Sequence, residues 1–505
     1  MYTPIFAMTP YQMTWQTYLT FGLYLLLMIG TGLYFCWRAN NNLEDYLLGG
    51  RGLGSWVTAL SAQASDMSGW LLMGLPGAVY FFGINQMWIA VGLLGGTLLN
   101  WLIVAPRLRV YTGMMDSLTL NSFLDRRFRA PKNLIRIAGA VFTLFFFTVY
   151  AAAGLVSAGK LFETMFGIDY VAAVLIGAGV MIFYTLLGGF LAVCWTDLFQ
   201  GILMFLAIVV LPIYAYTTFP AGSIEQAFAA RDISFSLLPP EQTTPAALLV
   251  VVSLAAWGLG YFGQPHILVR FMGIRSVRLF PRATAIAMVW VVISLAGAVW
   301  IGALAAPMFP GLDKVNSENV FIYMIGRLFH PLPGGILLAA ILAAIMSTID
   351  SQLLVSSSSL TDDVYKHLLR PQCGEREELW VSRFSVIVIT VVACALAFDR
   401  DSSIFDLVTF AWGGFGAIFG PAVLFALYSK RMTWLPVFSG MVAGLVVLLV
   451  WKAFHWNAMM YEIVPGFIAN ILTILIVDRF AGLKNPETER EFETMVAEIK
   501  AFRTE

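Results

Sequence analysis

The stretch "SAQASDMSGW", residues 61–70, places Asp66 among serines and a glycine inside an otherwise apolar run. A carboxylate near the centre of a bilayer costs at least about 2.5 kcal/mol, so Asp66 requires a cation, a proton or a transport pathway to account for it. A second stretch, "LAAILAAIMSTIDSQLLVSSSS" at 338–359, sets Ala344, Ser347, Thr348 and Ser351 at i, i+3, i+4 and i+7, one stripe of a helix. Hydroxyls and carbonyls in such a stripe are the neutral oxygens that a hard monovalent cation takes, and the lack of His and Cys argues against a transition metal. The third is aromatic. Trp257, Tyr261 and Phe262 surround Gly258, Gly260, Gly263 and Pro265, and Tyr150 lies among small residues in "FFFTVYAAAG". These rings could box a small amphipathic solute. Each feature has a plainer reading: a hydrogen-bonded neutral acid, a polar stripe that glues helices, and rings that only pack.

The elements that must position these residues follow from composition. Of 505 residues, 59% are hydrophobic and 12% charged, and the mean hydropathy is +0.80, so the expected fold is an all-α polytopic membrane protein. Runs of roughly 20 apolar residues, the length that crosses the hydrocarbon as a helix, recur from Thr17 to Val477 and predict about 13 transmembrane helices. The first run follows a neutral leader without a basic region or cleavage site, and is expected to be a retained helix rather than a signal peptide. Two runs are interrupted, at "ASDMSGW" and at "WGLGYFGQPH", and each begins a block of five, at 54–218 and 246–428. Paired interruptions in oppositely oriented blocks are the sequence sign of an inverted-repeat transporter with its site near the midplane. The remaining divisions are 1–53 (leader and first helix), 219–245 (extracytoplasmic loop), 429–478 (two additional helices) and a cytoplasmic tail, 479–505, expected to be a solvated amphipathic helix.

Net charge is zero, but an N-terminus placed outside puts 24 of the 30 Lys and Arg in cytoplasmic segments, as the positive-inside rule asks. The four cysteines show no redox or metal spacing, and the four histidines no ligand pattern. With no nucleophile–base pair either, an enzyme is not expected. Nothing indicates nucleic acid or an obligate protein partner, and the tail is too short for a catalytic or output domain.

The motifs "DYLLGGRGLG" (45–54), "TALSAQASDMSGWLLMGLPGAVY" (58–80), "GGFLAVCWTDLFQ" (188–200), "WGLGYFGQPHILVRFM" (257–272) and "ILAAIMST" (341–348) resemble the sodium/solute symporter family, most closely its bacterial proline branch. The resemblance implies a LeuT-type five-plus-five inverted repeat with one preceding and two following helices. It also implies sodium-coupled uptake of L-proline by alternating access in the bacterial cytoplasmic (inner) membrane. The implied sodium site takes main-chain oxygens of Ala64, Met67 and Ala344 and the hydroxyls of Ser347 and Thr348, with Asp66 as the nearby acid. The implied solute site comprises Ser68, Gly69, Tyr150, Trp257, Tyr261 and Pro265. Asp197, Asp350 and Ser351 could hold a second ion or line its exit, and the expectation is one sodium per solute. Read alone, the residues leave open a proton-coupled carrier using Asp66, or another small zwitterionic or carboxylate solute. Arg51 and Arg270 are expected at the cytoplasmic edge, outside the hydrophobic depth.

Overall fold

The computed structural model describes residues 14–39, 47–187, 189–218, 222–238, 244–482 and 485–504. The leader, Asp45 and Tyr46 of the first motif, and Gly188 of the third lie outside them. Among the described residues there is no β-strand, only an isolated bridge between Leu53 and Ile274. Eleven helices among the described residues are long and apolar enough to cross a membrane.

The chain opens with α1 (Trp15–Ala39). The next apolar run is split into α2 (Ser55–Asp66), a π-helical turn at Trp70–Gly74 and α3 (Leu75–Phe82). Then come α4 (Met87–Leu99), continued by a π-helical segment into α5 (Ala105–Met114), the short α6 (Leu120–Phe128), α7 (Leu134–Phe166), α8 (Tyr170–Leu187) and α9 (Phe190–Tyr216). A second split run follows as α10 (Thr244–Ala255), a 3-10 segment Ala256–Gly263 and α11 (Pro265–Gly273). The longer helices that follow are α12 (Phe280–Met308), α13 (Pro331–Ser358), α14 (Glu375–Ala397), α15 (Ile404–Tyr428), α16 (Trp434–Ala453), α17 (Ile463–Ala481) and α18 (Pro486–Thr504).

Burial separates scaffold from periphery. In α13 and α15, 83% of the most apolar window is buried inside the protein, against 28% in α1 and in α17 and 33% in α16. A helix buried on all sides can carry polar groups that never meet lipid, so α13 can hold its hydroxyl stripe at depth.

Both interruptions fall where the sequence places them. α2 stops at Asp66, and Met67 leaves helical geometry with φ −83° and ψ 72°. In the other run Gln264 is extended, with φ −83° and ψ 105°, and Pro265 starts α11 at the first helical position, where its missing N–H costs nothing. The two split runs are tied at one end, where Leu53 donates to the Gly273 carbonyl at 3.1 Å and Arg275 donates back to that of Leu53 at 3.0 Å.

The glycines of the split runs allow close contact of backbones. A Cβ on Gly96 of α4 would fall onto the Gly258 carbonyl, and one on Gly260 would strike the Trp412 indole. Gly96→Val should therefore force the 3-10 segment away from α4 and destabilise the protein by about 1–3 kcal/mol, the usual penalty of overpacking. Thermal unfolding in detergent checks this: a lowered Tm is expected, and an unchanged one contradicts the contact.

Candidate ion and solute site

The break at 66–70 frees backbone groups that have no water to turn to. α13 meets them. Ser347 Oγ donates to the Ala64 carbonyl at 2.8 Å and shares the Ala344 carbonyl at 3.1 Å, while Thr348 Oγ1 stands 3.4 Å from the same Ala64 oxygen. Four of the oxygens expected around sodium thus converge from two helices that are 283 residues apart in sequence at the Ser347–Ala64 contact. All four residues are buried. The Met67 carbonyl follows at the point where the helix ends. These oxygens are neutral, the kind of ligand that a hard monovalent cation takes.

Asp66 is wholly buried. Its Oδ2 accepts from the Tyr261 hydroxyl at 2.5 Å, and Oδ1 has no hydrogen-bond partner among the described residues. Its main-chain carbonyl accepts from the Trp70 indole N–H at 3.0 Å and from Tyr150 Oη at 3.4 Å. Asp66 therefore joins the oxygens of the break to the aromatic residues.

That aromatic side is a continuous group. Trp257 packs against Trp70 (ring centroids 5.7 Å), Phe405 (5.4 Å), Tyr461 (5.8 Å) and Trp412 (6.4 Å, stacked). Tyr261 meets Trp412 edge-on at 5.1 Å. Trp412 also fixes the unwound segment, since its indole donates to the Trp257 carbonyl at 2.7 Å and its carbonyl accepts from Gln264 at 3.2 Å. Ser68 Oγ accepts from Trp70 N at 3.3 Å, and a Cβ on Gly69 would lie 2.6 Å from Ser157 Oγ of α7, so a side chain there would require α7 or Ser157 to shift.

A family model, "Sodium:solute symporter family", matches residues 46–444. The chain belongs to this family. Sodium/proline symporters of Staphylococcus aureus, strains JH9 and NCTC 8325 among them, are 44% identical over 479 residues, covering 92% of this chain and 93% of theirs. In fold, the chain is similar to a sodium-coupled sialic acid symporter solved substrate-bound and outward-open (TM-score 0.76, 20% identity, 94% of this chain and 99% of that one). It is also similar to Mhp1, a nucleobase-cation-symport-1 family transporter, in a closed conformation (TM-score 0.55, 15% identity, 89% and 98%).

The symporter also buries Arg270 fully, in the last turn of α11. Its guanidinium contacts Asp197 Oδ2 at 3.1 Å, Ser61 Oγ at 3.1 Å, Ser351 Oγ at 2.5 Å and the His266 carbonyl at 2.7 Å. Ser61 in turn donates to Asp197 at 2.6 Å. That this long side chain turns inward to a carboxylate rather than outward for water is not set by its position along α11. Asp350 is buried beside this network, with neither carboxylate oxygen hydrogen-bonded among the described residues. Trp70, Trp412 and Tyr461 were not singled out in the sequence. The one local signal was "AWGGFG" at 411–416, a Trp next to glycines that make room for neighbours.

Ser347→Ala and Thr348→Ala should each raise the sodium concentration for half-maximal transport by about tenfold, because each removes a neutral oxygen that α13 presents to the break. Asp66→Asn should weaken sodium activation further. Sodium titrations of uptake at saturating solute check this, and a change confined to solute affinity would contradict the assignment.

Proposed function

We propose that the protein takes up L-proline with sodium by alternating access. The observation that carries this is the single break at 66–70, which offers neutral oxygens to α13 on one side and lies against a wall of Tyr150, Trp257 and Tyr261 on the other. The names of its curated relatives support proline as the solute. The N–H groups after the break open a half-helix whose positive end suits a carboxylate, and the rings suit a pyrrolidine. Ser68, Gly69 and Pro265 complete the solute site, and Ala64, Met67, Ala344, Ser347 and Thr348 the sodium site, with Asp66 between them.

The architecture we infer is thirteen spans: the eleven long helices, the split run α2–α3, and α8. They divide into inverted repeats at 54–218 and 246–428, with the N-terminus outside and the C-terminus cytoplasmic in a bacterial inner membrane. The distribution of Lys and Arg supports that orientation. Sodium binding would order the break and raise solute affinity, and the reverse must hold equally. One cation crossing about 150 mV supplies about 3.5 kcal/mol, and a tenfold gradient about 1.4 more, enough for roughly three decades of accumulation. No covalent step is needed.

One sodium per proline is the stoichiometry we infer. The Arg270 guanidinium already neutralises Asp197 and engages Ser351, which leaves Asp350 to line the inward exit. Reversal potentials in proteoliposomes test this, and a ratio of two would overturn it.

Uptake of labelled proline into proteoliposomes should require sodium at fixed pH, while a proton gradient alone should not drive it. Trp257→Ala should lower proline affinity by about 1–3 kcal/mol and leave sodium binding without solute nearly unchanged. Uptake driven by protons without sodium, or an unaltered affinity in Trp257→Ala, would refute these assignments.

A further inference from the structure

The rings around Trp257 do not all come from the two repeats. Trp70 stands after the first break, and Phe405 and Trp412 belong to α15, but Tyr461 lies just before α17, one of the two helices that follow the repeats. None of the residues assigned above to sodium or solute lies on α17. What brings it to the solute wall is a gap in the bonding of α15. Pro421, inside that helix, has no N–H to give, so the Ala417 carbonyl four residues before it loses its helical partner. Asn470 of α17 supplies one: its Nδ2 donates to the Ala417 carbonyl at 2.8 Å and to that of Ile418 at 2.9 Å. Glycines let the two helices close up, since a Cβ on Gly416 would lie 2.5 Å from Ile463 and one on Gly420 2.6 Å from Phe467.

Tyr461 is then held at three points. Its backbone N–H donates to Ser253 Oγ of α10 at 2.8 Å, and its hydroxyl donates to the Thr409 carbonyl of α15 at 2.6 Å. The third point is the ring, which packs on Trp257 with centroids 5.8 Å and planes 38° apart. Gly413 leaves the space, because a Cβ there would stand 3.1 Å from the hydroxyl. Both rings are buried. An indole can turn about two torsions, and the rings packed round it decide which orientation it keeps. Tyr461, bonded to α10 at one end and to α15 at the other, is a fixed surface for that purpose. Ser253, Thr409 and Trp257 all lie outside the sodium site.

We propose that Tyr461 is a positioning residue for the solute: from outside the repeats it fixes the Trp257 indole in the orientation that receives the pyrrolidine ring, and so sets solute affinity separately from the sodium site. This rests on Trp257 being part of the solute wall, as read above.

Equilibrium binding of labelled proline to the purified full-length protein at saturating sodium tests it, with sodium binding in the absence of proline measured beside it. Tyr461→Ala should raise the proline Kd about two- to tenfold, the worth of one aromatic contact, and leave sodium binding without proline unchanged. Tyr461→Leu, which refills the space without an aromatic face, should do the same, so a poorly folding alanine variant leaves the test intact. Tyr461→Phe keeps the ring and should stay within about twofold of wild type. The double variant decides the route: Trp257→Ala with Tyr461→Ala should bind proline no more weakly than Trp257→Ala alone, because the ring that Tyr461 holds is gone. Alanine and leucine variants that lower Tm but keep the wild-type Kd would overturn the inference. So would a loss that multiplies with that of Trp257→Ala, or one matched by an equal loss of sodium binding without proline. An unchanged Kd in Trp257→Ala itself would refute the wall reading and the inference with it, whereas a weakened Trp257→Ala beside unaffected Tyr461 variants would refute the inference alone.

Discussion

A helix that stops inside hydrocarbon must have its freed N–H and C=O groups met by protein, because unmet groups cost several kcal/mol each and water is absent. The rest of this structure follows from that constraint at residues 66–70. The Ala64 carbonyl is met by Ser347 and Thr348, and the Asp66 carbonyl by the Trp70 indole and Tyr150. The break is therefore possible only against an equally buried partner helix bearing small hydroxyls, which is why α13 is among the most enclosed spans and why its polar stripe is not exposed to lipid. Gly69 lets α7 close in from the side.

The second interruption is held in a different way. Its 3-10 segment lies backbone to backbone on the glycines of α4 and is fixed by Trp412 of α15. Tyr261 from this segment reaches the Asp66 carboxylate, so a hydrogen bond joins the two breaks beside the packing of Trp257 on Trp70. A change at either break is felt at the other by direct contact. That is the physical requirement for two ligands to bind cooperatively.

Much of this was legible in the sequence because its causes are local. Glycine, proline and a lone aspartate within apolar runs mark both interruptions, and the i, i+3, i+4 spacing of Ala344, Ser347 and Thr348 marks the facing stripe. What was not legible depends on pairing across long separations. Arg270 pairs with Asp197, 73 residues away, and the direction in which its side chain turns is not written in its neighbours. Trp412 acts on Trp257 from 155 residues away. The tail resembles any solvated amphipathic helix, yet Thr488, Met495 and Ile499 of α18 are buried, and the fold brings Arg129, Lys430 and Arg431 to its acids.

The central claim is that one break couples sodium to solute. Equilibrium binding of radiolabelled sodium to the purified protein, with and without saturating proline, tests it most directly when paired with the converse proline titration. The account predicts that proline tightens sodium binding by the same factor as sodium tightens proline binding, and that this common factor collapses to near one in Tyr261→Phe, which removes the hydroxyl joining the two sides while sparing the ring. Sodium binding that is indifferent to proline in the wild-type protein, or coupling left intact in Tyr261→Phe, would contradict it.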